Sequence, residues 1–69
     1  MIDKYSLVKV VNIQDIDTEI FRYAIGIVTA VDLQNEYPYE VLFVGRELNE
    51  LSKALGVLLW KENQLEVIL

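Results

Sequence analysis

Asn35-Glu36-Tyr37-Pro38-Tyr39-Glu40-Val41-Leu42-Phe43-Val44 opens as a polar turn and closes as an unbroken apolar run. Pro38 bars Tyr37 from the helical region and so launches an extended segment. Alternation along a strand then sends Tyr39, Val41 and Phe43 to one side, and Glu40, Leu42 and Val44 to the other. Such a strand carries aromatic core candidates on one face and leucine and valine on the other. Both faces need cover, and the question is what supplies the second one.

Upstream, Tyr5 to Val11 is β-rich, with Val8 and Val10 on one face at a period of two. Asn12 to Thr18 is an acidic, turn-rich loop, and Glu19 to Tyr23 is expected to flap against the core as an irregular hairpin. Ile25 to Val31 is a strand in which Gly26 marks an expected bulge or bend. Downstream the period changes. Leu48, Leu51 and Leu55 recur at three and four residues between Gly45 and Gly56, which predicts a short helix ending in a left-handed turn at Gly56. Val57 to Lys61 returns to strand, Glu62-Asn63-Gln64 turns, and Leu65 to Leu69 is a last strand. Short strands with tight turns in so small a chain point to a barrel or a strongly bent sheet.

Length bounds the rest. Sixty-nine residues form a single domain, residues 1–69, which buries only about 60% of its unfolded surface on folding. Yet 54% of the residues are apolar, above the 45–50% usual for globular chains even though that range counts glycine and this one does not. The chain therefore has more apolar surface than a small shell of strands hides, and a second body is expected to cover some of it. Six basic residues against 11 acidic ones give a net charge of −5, which disfavours nucleic-acid binding and suits a basic protein partner. No apolar run reaches the ~20 residues of a membrane span, and the amino-terminal Met1-Ile2-Asp3-Lys4-Tyr5-Ser6 carries an acid where a signal peptide is expected to have net positive charge followed by an apolar stretch. With no cysteine there is no disulfide framework, and a cytoplasmic location is expected.

Catalytic chemistry is not expected. The chain has no Cys or His, hence no thiol nucleophile, imidazole base or His-based metal site, and no glycine-rich phosphate loop. No cofactor is expected. Asp15, Asp17 and Glu19 alternate as in a Ca²⁺ loop, but the central glycine and late glutamate are missing. They instead offer an acidic patch to a basic partner. Tyr37, Tyr39 and Trp60 invite comparison with a peptide-binding aromatic groove. Core packing is the expectation for Tyr39 and Trp60, and packing across the turn for Tyr37.

Gly26-Ile27-Val28, Tyr37-Pro38-Tyr39-Glu40-Val41-Leu42-Phe43, Trp60 and Glu62-Asn63-Gln64-Leu65-Glu66-Val67-Ile68 together resemble the small SH3-like barrels of bacterial phages and mobile elements. In those proteins a one-turn helical step precedes the closing strand. The resemblance spans residues 5–69 and implies a mainly β fold: a five-stranded SH3-like barrel with one short helix inserted before the fourth strand. Two departures stand out. Sixteen residues, rather than a tight hairpin, separate Phe43 from Trp60, and the glycine-and-basic loop of RNA-binding relatives is missing. The function implied is a small, non-catalytic, phage-encoded protein that binds and modulates or inhibits a host protein. Its expected interface draws on Leu42, Val44 and Leu58, on the helix residues Glu47, Leu48, Glu50 and Leu51, and on the acidic Asp15, Asp17 and Glu19. The expected partner is a protein that is basic or has an apolar groove, with a homo-oligomer joined at strand edges as the alternative and an RNA- or DNA-binding barrel as a weaker third.

Overall fold

The computed structural model describes residues 1–69. Five strands, β1 (Leu7–Val10), β2 (Ile25–Val31), β3 (Tyr39–Phe43), β4 (Leu59–Trp60) and β5 (Leu65–Val67), accompany one helix, α1 (Arg46–Leu55), between β3 and β4. Short 3-10 segments cover Ile16–Phe21 and Glu62–Gln64. All pairings are antiparallel, in the order β4-β3-β2-β1-β5. The expected mainly β architecture with its inserted helix is present. The expected closure is not: β4 and β5 are the two outer strands and do not hydrogen-bond to each other, so the sheet is open. No helix is long and apolar enough to cross a membrane.

Period-two alternation decides the inner face. Val8 and Val10 of β1, Val28 of β2, Tyr39, Val41 and Phe43 of β3, Trp60 of β4 and Leu65 of β5 are all buried in one cluster. Both outer strands thus contribute to the same core, although no ladder joins them. The segment before β2 is the main departure from expectation. Glu19 to Tyr23 does not make an irregular hairpin; Asp15 caps a 3-10 turn whose last residue, Phe21, is fully buried. Phe21 stacks on Phe43 at 5.1 Å between centroids, and Trp60 meets both edge-on at 5.9 and 5.8 Å. Offset and edge-to-face geometry of this kind adds about 0.5–1.5 kcal/mol per pair beyond area burial.

Gly26 is not the bulge. The register shifts further along β2, between Val28 and Ala30, while Gly26 lies where β3 crosses too closely for any side chain. Its role is approach, not bend.

Helix α1 follows the leucine periodicity and ends at Gly56, which adopts the left-handed conformation (φ 70°) and donates its N–H to the carbonyls of Lys53 and Ser52. Leu48 and Leu51 pack against the core, and the fully buried Ser52 donates its hydroxyl to the Val57 carbonyl at 2.5 Å. Leu55 stays exposed, as do Leu42 and Val44 of the expected interface. The helix packs Leu48 and Leu51 on the inner core, and its Asn49 and Lys53 share a small hollow with Glu40 and Leu42 on the outer face of β3. Leu51→Glu is accordingly expected to cost about 1–2 kcal/mol, the worth of a half-buried leucine. Thermal denaturation reads it as a fall of roughly 5–15 °C; an unchanged midpoint would return Leu51 to the surface.

Candidate functional site

A cleft of about 340 Å³ opens where four distant parts of the chain meet. Gln14, Asp15 and Thr18 form one wall, Gly56, Val57 and Leu59 the other, and Tyr37, Trp60 and Gln64 complete it. Each wall has a local cause. The Asp15 carboxylate accepts the Asp17 backbone N–H at 3.0 Å, and the Thr18 hydroxyl donates to the Asp15 carbonyl at 2.8 Å, which fixes the first turn of the 3-10 segment. The opposite wall is the turn after α1, held by the left-handed Gly56 and by Ser52. At the far end, the 3-10 turn Glu62–Gln64 closes through Gln64 Oε1, which accepts the Lys61 N–H at 2.9 Å.

Polarity across the cleft is uneven. Trp60 is buried by its packing on Phe21 and Phe43, and its indole N–H finds no acceptor within the protein. A buried donor without a partner is costly by about 1–3 kcal/mol, a cost the aromatic packing of Trp60 has to offset. On the acidic wall, Glu19 accepts two bonds from the Arg22 guanidinium, at 2.6 and 2.9 Å, and these hold its carboxyl below the usual range. Asp15 and Asp17 have no cation beside them. The Lys61 ammonium sits 5.0 Å over the Tyr37 ring and 3.9 Å from Glu36, so its charge is already engaged. The free charge at the rim is negative.

The residues expected at an interface fall in three places. Asp15 lines the cleft, with Asp17 and Glu19 on the same 3-10 segment. Leu48 and Leu51 belong to the core side of α1; Glu47 is exposed in its first turn, and Glu50 pairs with Arg46 at 3.2 Å. Leu42 and Leu58 line a separate small hollow with Thr29, Glu40, Val41, Asn49 and Lys53, and Val44 lies exposed beside β2. Tyr39 and Trp60 are core residues as expected, but Tyr37 and Trp60 also line the cleft, which the sequence reading set aside. Gln14, Thr18, Val57, Leu59 and Gln64 carried no sequence signal, since only the fold brings positions 14, 37, 57 and 64 together. No three Asp or Glu side chains converge to hold a metal ion. Compared with known proteins, the chain matches no family description, no curated protein and no solved structure.

Proposed function

We propose that this chain is a non-catalytic protein-interaction module that binds an extended, basic segment of a partner protein in the Trp60 cleft. The observation that carries the reading is a cleft floored by Tyr37, Val57, Leu59 and Trp60 whose acidic wall holds Asp15, with Asp17 on the same 3-10 segment, neither of them in an ion pair. The acidic wall repels a carboxylate and draws lysine or arginine, so an extended segment with basic residues flanking an apolar centre matches both the wall and the floor of the cleft. Tyr37, Val57 and Leu59 offer apolar contact to the side chains between. Supporting the SH3-like reading are the strand order, with β5 returning to β1, and the 3-10 turn that precedes it. The resemblance extends the proposal to a phage-encoded protein that modulates or inhibits a host protein, for example by occupying a basic surface that handles nucleic acid.

The test uses two peptides of equal length and apolar centre, one flanked by lysines and the other by glutamates. The basic peptide is expected to shift the Trp60 indole N–H resonance and to bind less tightly as salt rises. Asp15→Lys should weaken it by about tenfold or more, as placing like charges together does. Equal binding of both peptides, or an indole resonance that neither moves, would remove the cleft from the proposal.

A further inference from the structure

The free edge of β4 is closed to further pairing except at one residue. The Val41 N–H donates to the Leu58 carbonyl at 3.1 Å, and in the same register Tyr39 faces Trp60 and Glu40 faces Leu59. Hydrogen-bonded and open pairs alternate along an antiparallel ladder, so Val41–Leu58 and Tyr39–Trp60 exchange bonds and Glu40–Leu59 does not. The N–H and C=O of Leu59 therefore point away from β3, to the side on which β4 has no neighbouring strand. The residues two places before and after it are already satisfied within the chain. Val57 donates its N–H to the Ser52 carbonyl at 2.9 Å, and its carbonyl accepts the Ser52 hydroxyl at 2.5 Å. Lys61 donates its N–H to Gln64 Oε1 at 2.9 Å, and its carbonyl accepts the Gln64 N–H at 3.1 Å. Between these two caps Leu59 presents one donor and one acceptor, and it is 42% exposed where it lines the cleft.

An occupant that covers Leu59 without bonding it leaves both groups dry and unpaired, which is unfavourable. The occupant must therefore bring an acceptor and a donor spaced as the two groups of one extended residue. A helix has its backbone groups bonded internally and offers neither along its side; an extended segment offers both. We propose that the cleft takes its ligand by strand addition, one residue of the partner's extended segment forming a two-bond bridge with the backbone of Leu59. This rests on the basic-segment reading above and adds to it the main-chain contact that fixes the segment's register. A second copy of this chain would offer its own Leu59. That pairing sets two acidic walls against each other, each with Asp15 and Asp17, in a chain of net charge −5. Charge thus favours a segment with lysine or arginine on either side of the bridged residue. Because Val57 and Lys61 are capped, the bridge is confined to that residue, and contact with Tyr37 and Trp60 supplies the rest.

The lysine-flanked peptide tests the bridge. Replacing one backbone N–H of the peptide by an ester oxygen removes a donor and keeps shape and charge. A scan along the peptide should find one position at which binding falls about fivefold or more, while its immediate neighbours, whose N–H groups point the other way, matter little. Exchange of the Leu59 amide hydrogen should slow about tenfold or more in the complex. The Val57 amide, already bonded, should change little. Leu59→Pro, a substitution tolerated where an edge N–H points outward, should weaken the peptide at least as much as the ester does. If the peptide binds but no ester position matters and the Leu59 amide exchanges as before, the bridge is overturned and the basic-segment reading stands. A lysine-flanked peptide that does not bind overturns both. A Leu59 amide protected in the free protein, with the mass rising from 8.0 kDa toward twice that value, gives the edge to a second copy and overturns the proposal as well.

Discussion

Phe43→Ala is expected to leave the chain largely unfolded at room temperature. Phe43 is buried, stacks on Phe21 and receives the edge of Trp60, so its ring touches both the 3-10 segment and β4. Removing a buried phenylalanine costs about 3–5 kcal/mol through lost transfer energy and the cavity left behind. A chain of 69 residues has roughly 3–10 kcal/mol in total. The loss is thus comparable with the whole. Refilling the site should recover most of it: Phe43→Leu is expected to cost under about 2 kcal/mol, because the cavity shrinks although the stacking is gone. Urea titration followed by far-UV dichroism reads both. A Phe43→Ala protein within about 1 kcal/mol of the parent would mean that the three rings do not form the centre of the fold.

Gly26→Ala is expected to cost about 2–3 kcal/mol, the upper part of the range for overpacking. A Cβ placed there would lie 2.5 Å from Val41 Cγ1 and 2.8 Å from the Leu42 carbonyl oxygen. The valine methyl can turn aside, but the carbonyl belongs to the β2–β3 ladder and cannot. Relief would have to come from separating the two strands, which sit at the centre of the sheet with Gly26 opposite Phe43. Gly26→Val should be worse, since its methyls also enter a filled inner face. Thermal midpoints settle the matter: Gly26→Ala should melt roughly 10–20 °C lower. Equal midpoints for the parent and the Gly26→Ala protein would show that β2 and β3 have slack between them.

Local chemistry explains which parts of this fold were legible in the sequence. Pro38 and the alternation after it set β3 and its inner face, and the leucines at 48 and 51 with Gly56 set α1 and its end. Those signals act within a few residues. Phe21 was harder, because Asp15 to Arg22 has neither a period of two nor a full helical stripe. Its 3-10 turn exists because a distant partner, Phe43, receives the ring. Closure failed as an expectation for a related reason: β4 has only two residues, and α1 and Gly56 occupy the chain that would have lengthened it. The acidic wall of the cleft was legible as a patch of Asp15 and Asp17. That Trp60 would share a hollow with them depends on four chain segments meeting, and no single segment records it. The surplus of apolar residues was the most durable signal, since Leu42 and Val44 remain uncovered.

Trp60 is the sole tryptophan of the chain, and it touches both the aromatic centre and the cleft. Nature has therefore installed one fluorophore at the spot where unfolding and occupancy both alter the surroundings of the indole. Its emission therefore follows both melting and filling of the hollow in ordinary buffer, without any dye or tag.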